Sequence, residues 1–259
     1  MILADFHVHS CFCYGHDKPE DAVLKAISLG MKKLGFSGHS YTPFDEEPCM
    51  SVIDTEKYKL EIARLKREYK SKIQIFCGVE QDYYSEMSTG DYDFVIGSVH
   101  YVNVNGIYHH VDSSPEKLAA LIHDCNDDAY SMTEKYFALV SDVINKTGAD
   151  IIGHFDLLTK FNDDNKFFDE SNSRYIQAWR SAADKLIPTG RPFEINTGAI
   201  SRGYKTVPYP SRDILGYLAE NHCSVILSSD SHSKENLMYK FPECEELAES
   251  LGLKIIELS

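Results

Sequence analysis

The sequence predicts an α/β fold built on a parallel sheet or barrel. Short apolar runs alternate with amphipathic stretches along the whole chain, and no linker, repeat or low-complexity tract interrupts them. Turn-rich pieces follow the C-terminal ends of strand-like runs, where barrel enzymes place their site-forming loops. A length of 259 residues suits one barrel or two small domains, and the unbroken alternation favours a single domain over 1–259.

In chain order, the strand-like runs are "ILADFHV", "KLGFSGH", "IQIFCGVE", "FVIGSVH", "DIIGHF", "PFEINT", "SVILSSD" and the terminal "LKIIEL". Each is short, apolar and bounded by polar or turn-forming residues, as buried parallel strands are. Helix-like stretches fall between them: Pro19 to Leu29, Thr55 to Tyr69, Pro115 to about Lys146, Ser171 to Leu186, Ser211 to Glu220 and Lys234 to Leu251. "TEKYKLEIARLKREY" carries apolar residues three and four apart, and "SSPEKLAALI" opens with a good helix start. The pieces "SYTPFDEEPCM", "NVNGIYHHVDSS" and "GAISRGYKTVPYPS" read as loops beyond strand ends.

Bulk properties exclude several classes. The net charge is −14 with no basic block, which argues against a nucleic-acid binder or a membrane-surface protein. An anionic substrate would then need metal ions or a few local cations to invert the charge in the site. "MILADFH" lacks the basic region and long apolar core of a signal peptide, and no apolar run approaches the ~20 residues that span a bilayer. Seven cysteines without a regular framework fit reduced thiols in a cytoplasm. Cys11 and Cys13 form a lone C-x-C with no second pair, so they read as small semi-buried thiols rather than zinc ligands.

The strand ends carry the chemistry. In "ADFHVHS", His7 and His9 stand one residue apart, so on a strand their imidazoles share a face. Further strand ends supply His39, Glu80, His100, His154, Glu194, and the pair Asp230 and His232. Convergent histidines with a few carboxylates suit zinc, manganese or iron rather than calcium, and they exceed what one ion needs. A cluster of two or three ions follows, with a carboxylate such as Glu80 able to bridge two of them. Glu194 could instead pair with Arg191 or accept a hydrogen bond behind a ligand. Asp230 alone could cap the helix before "SKENL". His109 and His110 read as solvated loop residues, and His123 and His222 as structural.

"DFHVHS", "GFSGHS", "GVEQDY", "GSVHYV", "GHFDLLTKF", "FEINT" and "SSDSH", in this order, resemble the polymerase-and-histidinol-phosphatase (PHP) superfamily from Asp5 to about His232. "GHFDLLTKF" with "EINTGAISRGY" is most similar to its histidinol-phosphatase branch. The resemblance implies a distorted (β/α)7 TIM-like barrel with a trinuclear metal site at the C-terminal strand ends. It implies a first ion on His7, His9, Glu80 and Asp230, and a second completed by His100 and His154 beyond the bridging Glu80. A third would take His39, His232 and a residue of the loop after the first strand, His16 or its competitor Asp17. It further implies that Lys160 and Arg202 hold the phosphate, while a hydroxide bridging the first two ions attacks phosphorus in line. The implied reaction is hydrolysis of L-histidinol phosphate, in histidine biosynthesis, with Glu194 or carboxylates of the "DEE" loop receiving the substrate's ammonium. Broader phosphoesterase activity on sugar phosphates, nucleotides or phosphotyrosine, and a non-catalytic PHP module, are the alternatives.

Overall fold

The computed structural model describes residues 2–45 and 47–259. Among them the strands are β1 (Ala4–Asp5), β2 (Lys33–His39), β3 (Gln74–Asp82), β4 (Phe94–Ser98), β5 (Tyr101–Val104), β6 (Ile107–His110), β7 (Ile151–Ile152), β8 (Phe193–Asn196), β9 (Ser224–Ser228) and β10 (Lys254–Ile255). All but β5 and β6 lie parallel in one sheet, ordered β1-β2-β3-β4-β7-β8-β9-β10. Just beyond β1 and β9 the sheet curls onto itself: the Ser231 carbonyl accepts from His9 N at 2.8 Å, and Ser231 N donates to the His7 carbonyl at 3.0 Å. β10 pairs only with Ser224 and Val225, at the opposite end of β9. The result is the expected distorted (β/α)7 barrel, with an added strand at one end of its seam.

The helices are α1 (Pro19–Ser28), α2 (Val52–Glu68), α3 (Pro115–Asp124), α4 (Ala129–Val140), α5 (Val143–Thr147), α6 (Ser173–Leu186), α7 (Gly198–Ser201), α8 (Arg212–Glu220) and α9 (Phe241–Leu251). Their starts are written locally. Ser51 Oγ accepts from Asp54 N at 3.1 Å, and Ser114 Oγ accepts from Lys117 N at 3.3 Å behind Pro115. The single helix expected from Pro115 to about Lys146 is instead three. Asn126 (φ 61°) and Asp127 (φ 58°) turn left-handed, and Asp128 caps the next helix by accepting from Tyr130 N and Ser131 N. A second difference lies within 103–114, expected as a loop. Here β5 and β6 form an antiparallel hairpin turning at Asn105 and Gly106, both at positive φ. No helix among the described residues is long and apolar enough to cross a membrane.

Inside the barrel an aromatic plug separates the two ends. Phe6 meets Phe76 and Phe94 edge-on, with centroids 5.4 and 5.6 Å apart. Gly78 makes room for it, since a β carbon there would stand 2.3 Å from the Phe94 ring. Two residues further along the same face of β3 stands Glu80, so period two carries the barrel interior from plug to site.

Strand β1 departs from that period. It ends at Asp5, and the consecutive residues Phe6 and His7 both face inward, one into the plug and one toward Glu80. The fully buried Asp5 carboxylate supports the break, accepting from Ser229 N at 3.1 Å, Met238 N at 3.2 Å and His7 N at 3.4 Å. Burial raises its pKa.

Candidate metal centre

Glu80 occupies the middle of the C-terminal mouth of the barrel, almost wholly buried. Its Oε2 lies 3.1 Å from His7 Nε2, 3.5 Å from His9 Nε2 and 2.9 Å from His39 Nδ1. Its Oε1 faces the other way, 2.8 Å from His154 Nε2 and 3.2 Å from His100 Nε2, and accepts from Ser98 Oγ at 2.7 Å. One carboxylate thus fronts two separate sets of imidazoles, the geometry a bridging ligand requires. Asp230 closes the first set, its Oδ1 3.3 Å from His9 Nε2 and 3.8 Å from His7 Nε2.

The inward nitrogens are held from behind. His7 Nδ1 is 2.6 Å from Glu194 Oε1, His100 Nδ1 is 3.1 Å from Asp82 Oδ2, and His232 Nδ1 is 3.0 Å from the Asp230 carbonyl. His9 Nδ1 meets the Cys13 thiol at 3.5 Å. For His7, His9 and His100 an outward partner on Nδ1 leaves Nε2 directed at the centre, which is how histidines are oriented for ligation, whereas His232 Nδ1 also faces Asp230 Oδ1 at 3.4 Å and Arg202 Nη1 at 2.9 Å.

The donor set fits divalent cations. His7 Nε2, His9 Nε2 and Glu80 Oε2 are buried and make no hydrogen bond, although the oxygen lies within 3.5 Å of both nitrogens. Such converging lone pairs are costly unless a cation or shared proton lies among them. Electrostatics couples these same groups: burial opposes the charged form of His7 and His100, but Glu194 and Glu80 push the first, and Glu80 and Asp82 the second, well above the usual imidazole value. Burial would raise the Glu80 carboxyl, but His7, His39 and His100 hold it well below the usual range. Burial, with His39 beside it, lowers His9 to about 4, so at neutral pH that ring keeps a free lone pair. Three groups bring one donor atom from each member within 4.8 Å of the others: His7, His9 and Asp230; His39, Glu80 and His100; and His9, His39 and His232.

Local backbone chemistry places the last wall. Asp230 follows β9 with a left-handed φ of 47°, rather than capping a helix. Gly198 lets it approach, because a β carbon there would stand 2.7 Å from Asp230 Oδ2. Arg202, just past α7, donates from Nη2 to that Oδ2 at 3.1 Å and from Nη1 to the Asp230 carbonyl at 2.9 Å. Lys160 approaches from the loop after β7, donating to the Asp112 carbonyl at 2.7 Å and to its Oδ2 at 3.2 Å. Both cations line one cavity of about 350 Å³ together with Glu80, His100, His154, Asp230 and His232, a volume suited to a small molecule.

His16 lines the same cavity, tied by its backbone N to the His232 carbonyl at 2.8 Å, but its ring belongs to none of the three donor groups. Asp17 is committed elsewhere, accepting from Lys234 N at 2.8 Å and pairing with its Nζ at 3.3 Å.

Some sequence expectations need correction. Glu194 is not on the cavity surface where a substrate ammonium could reach it. It is fully buried, with Oε1 on His7 and Oε2 accepting from His154 N and Asn196 Nδ2. Arg191 pairs with Asp150 instead. His110 is not simply solvated but bonds Asp45, and His109 lies 3.0 Å from Asp124. Of the "DEE" loop, Asp45 and Glu47 line the cavity, while Glu46 lies outside the described residues. Asp82 and Asp112 escaped notice in the sequence. Asp82 was findable, two residues beyond Glu80 on the same strand face; Asp112 sits in a loop with no periodic signal.

The comparisons with known proteins agree with this geometry. The PHP domain matches residues 5–198. A Schizosaccharomyces pombe protein named "Probable histidinol-phosphatase" is 29% identical, over 95% of this chain and 86% of its own. The Bacillus subtilis protein named "Histidinol-phosphatase" is 25% identical, over 93% of this chain and 97% of its own. A solved structure of histidinol phosphate phosphatase from Lactococcus lactis, complexed with Zn, L-histidinol and phosphate, superposes with a TM-score of 0.72. It has 20% identity and covers 98% of this chain and 95% of its own. With three-quarters of its length matched by the family and a mouth lined by that family's ordered motifs, the chain belongs to the PHP domain family.

Proposed function

We propose that this chain hydrolyses L-histidinol phosphate to L-histidinol and phosphate, acting over residues 1–259 as one domain. The observation that carries the proposal is Glu80, whose two oxygens front two histidine sets beside two cavity-lining cations. Full-length similarity to proteins named histidinol-phosphatase, and a relative of like fold holding histidinol and phosphate, supply the substrate.

His7, His9, Glu80 and Asp230 would hold a first ion, and Glu80, His100 and His154 a second. His39, His232 and His16 would hold a third. Zinc, manganese or iron in these positions would activate water and offset charge on the phosphoryl group and the departing alkoxide. The protein's own groups do the rest. Arg202 presents a planar guanidinium, anchored by Asp230 on one edge, to the phosphoryl oxygens. Lys160 adds a point charge from the loop after β7, steadied by Asp112 and by the Tyr204 ring 4.9 Å from its Nζ. Glu194, Asp82 and Cys13 fix the imidazoles, so no ligand has to reorganise as charge develops.

A panel of phosphate monoesters compared by kcat/KM tests the substrate, and a flat profile would refute histidinol phosphate. Asp230→Asn is expected to abolish turnover and lower bound metal. Full activity with normal metal content would refute the centre.

A further inference from the structure

We infer that Asp45 selects the substrate's imidazole, its carboxylate accepting an N–H from the ring nitrogen; this rests on the histidinol phosphate reading above. The first support is elimination. The cavity is lined by Asp45, Glu47, Glu80, Asp82, Asp112 and Asp230. Glu80 is ringed by histidines, Asp82 is spent on His100, Asp112 on Lys160 and Asp230 on Arg202. Glu47 is exposed at the rim. Asp45 is thus the inner acidic group that answers neither a histidine of the nest nor a phosphate-facing cation.

The second support is how Asp45 is held. Tyr101 Oη donates to its Oδ2 at 3.0 Å, and His110 Nε2 bonds the same oxygen, so both protein bonds fall on one edge and Oδ1 is left to a ligand. The preceding residue, Phe44, stacks on Tyr108 of β6 with centroids 3.9 Å apart and planes 6° from parallel, and meets Tyr101 edge-on at 4.9 Å. This pins the loop to the β5–β6 hairpin, so the carboxylate is oriented before substrate arrives.

Position is the third support. The Tyr101 ring lies 6.5 Å from the His100 ring, and His110 lies 4.4 Å beyond Tyr101. Asp45 therefore stands one aromatic ring outward of the histidine nest. A phosphoryl group between Lys160 and Arg202 leaves the far end of a short amino-alcohol chain, its ring, to reach that wall.

The test compares L-histidinol phosphate with L-phenylalaninol phosphate, which keeps the amine and phosphate but lacks ring nitrogen. The expected wild-type preference, by kcat/KM, is tenfold or more for the imidazole ester. Asp45→Asn should lower that ratio about 10- to 100-fold, chiefly through KM, the loss of one charge-assisted hydrogen bond. Tyr101→Phe, which keeps the charge but removes one orienting donor, should lower it less. Bound metal and melting temperature serve as folding controls. A wild-type enzyme that favours histidinol phosphate with the ratio unchanged in Asp45→Asn would overturn the role of Asp45 and leave the function standing. A wild-type enzyme hydrolysing neither ester faster than phenyl phosphate would overturn both.

Discussion

The mouth of this barrel has two walls built on opposite terms. The inner wall, around Glu80, stands on strand ends, is largely buried, and holds His7 and His100 between one carboxylate in front and another behind. The outer wall, around Asp45, stands on a loop and a hairpin, is half-exposed, and is held by a stack of aromatic rings. The difference separates chemistry from selection. Positions on strands are fixed by the whole sheet and suit groups that must not move, whereas a loop wall can vary without disturbing the barrel.

Substitutions can break this division in turn. The largest effect is expected for Glu80→Gln, which removes the charge that both histidine sets share. Turnover should fall by about a thousandfold or more, and elemental analysis should show lost metal. Retained metal at wild-type stoichiometry would contradict a bridging role. Next, Arg202→Ala should cost about a hundredfold in kcat/KM through the phosphate contact and the loosened Asp230. Glu194→Gln, wholly behind His7, should weaken metal affinity by about 10- to 100-fold in a chelator competition while the cavity surface stays unchanged. An effect confined to KM would instead make Glu194 a substrate contact. Cys13→Ala should weaken affinity by no more than about tenfold, because a thiol is a poorer anchor for His9 than a carboxylate is for His7. The smallest change belongs to the outer wall. Tyr108→Ala should cost about 0.5–1.5 kcal/mol of stability and leave metal content untouched, checked by thermal melts and elemental analysis together.

The same division explains what could be seen in the sequence. His39, Glu80, His100 and Glu194 were legible because strand period and strand ends alone bring them to one mouth. His7 and His9 were legible for a partly mistaken reason. The strand expected to present them stops at Asp5, and the pairing of Val8 with Ser231 restores their common direction. For Glu194 the sequence offered a hydrogen bond behind a ligand, a cation pair or a substrate contact without deciding, since burial behind a ligand and exposure to substrate look alike in one dimension; the first is what the fold builds. Asp45, His110 and Tyr101 were invisible as a unit because 56 or more residues of chain separate the aspartate from its two partners, and no periodicity spans that gap. The break after Asp124 was local but subtle, written only in an Asn-Asp-Asp turn.

The seam of the barrel has a consequence for how the protein comes to exist. His7 and His9 emerge first during synthesis, yet the residues that complete their site, Asp230 and His232, lie more than two hundred positions later. The Asp5 latch onto Ser229 and Met238 and the ladder between His9 and Ser231 are contacts of the greatest sequence separation, the kind whose loop-closure entropy delays them in folding. Asp5, His7 and His9 therefore gain these partners only once the chain as far as Met238 has been made. His7 and His9, the first of the mouth's residues to be made, are thus among the last to gain their full set of neighbours.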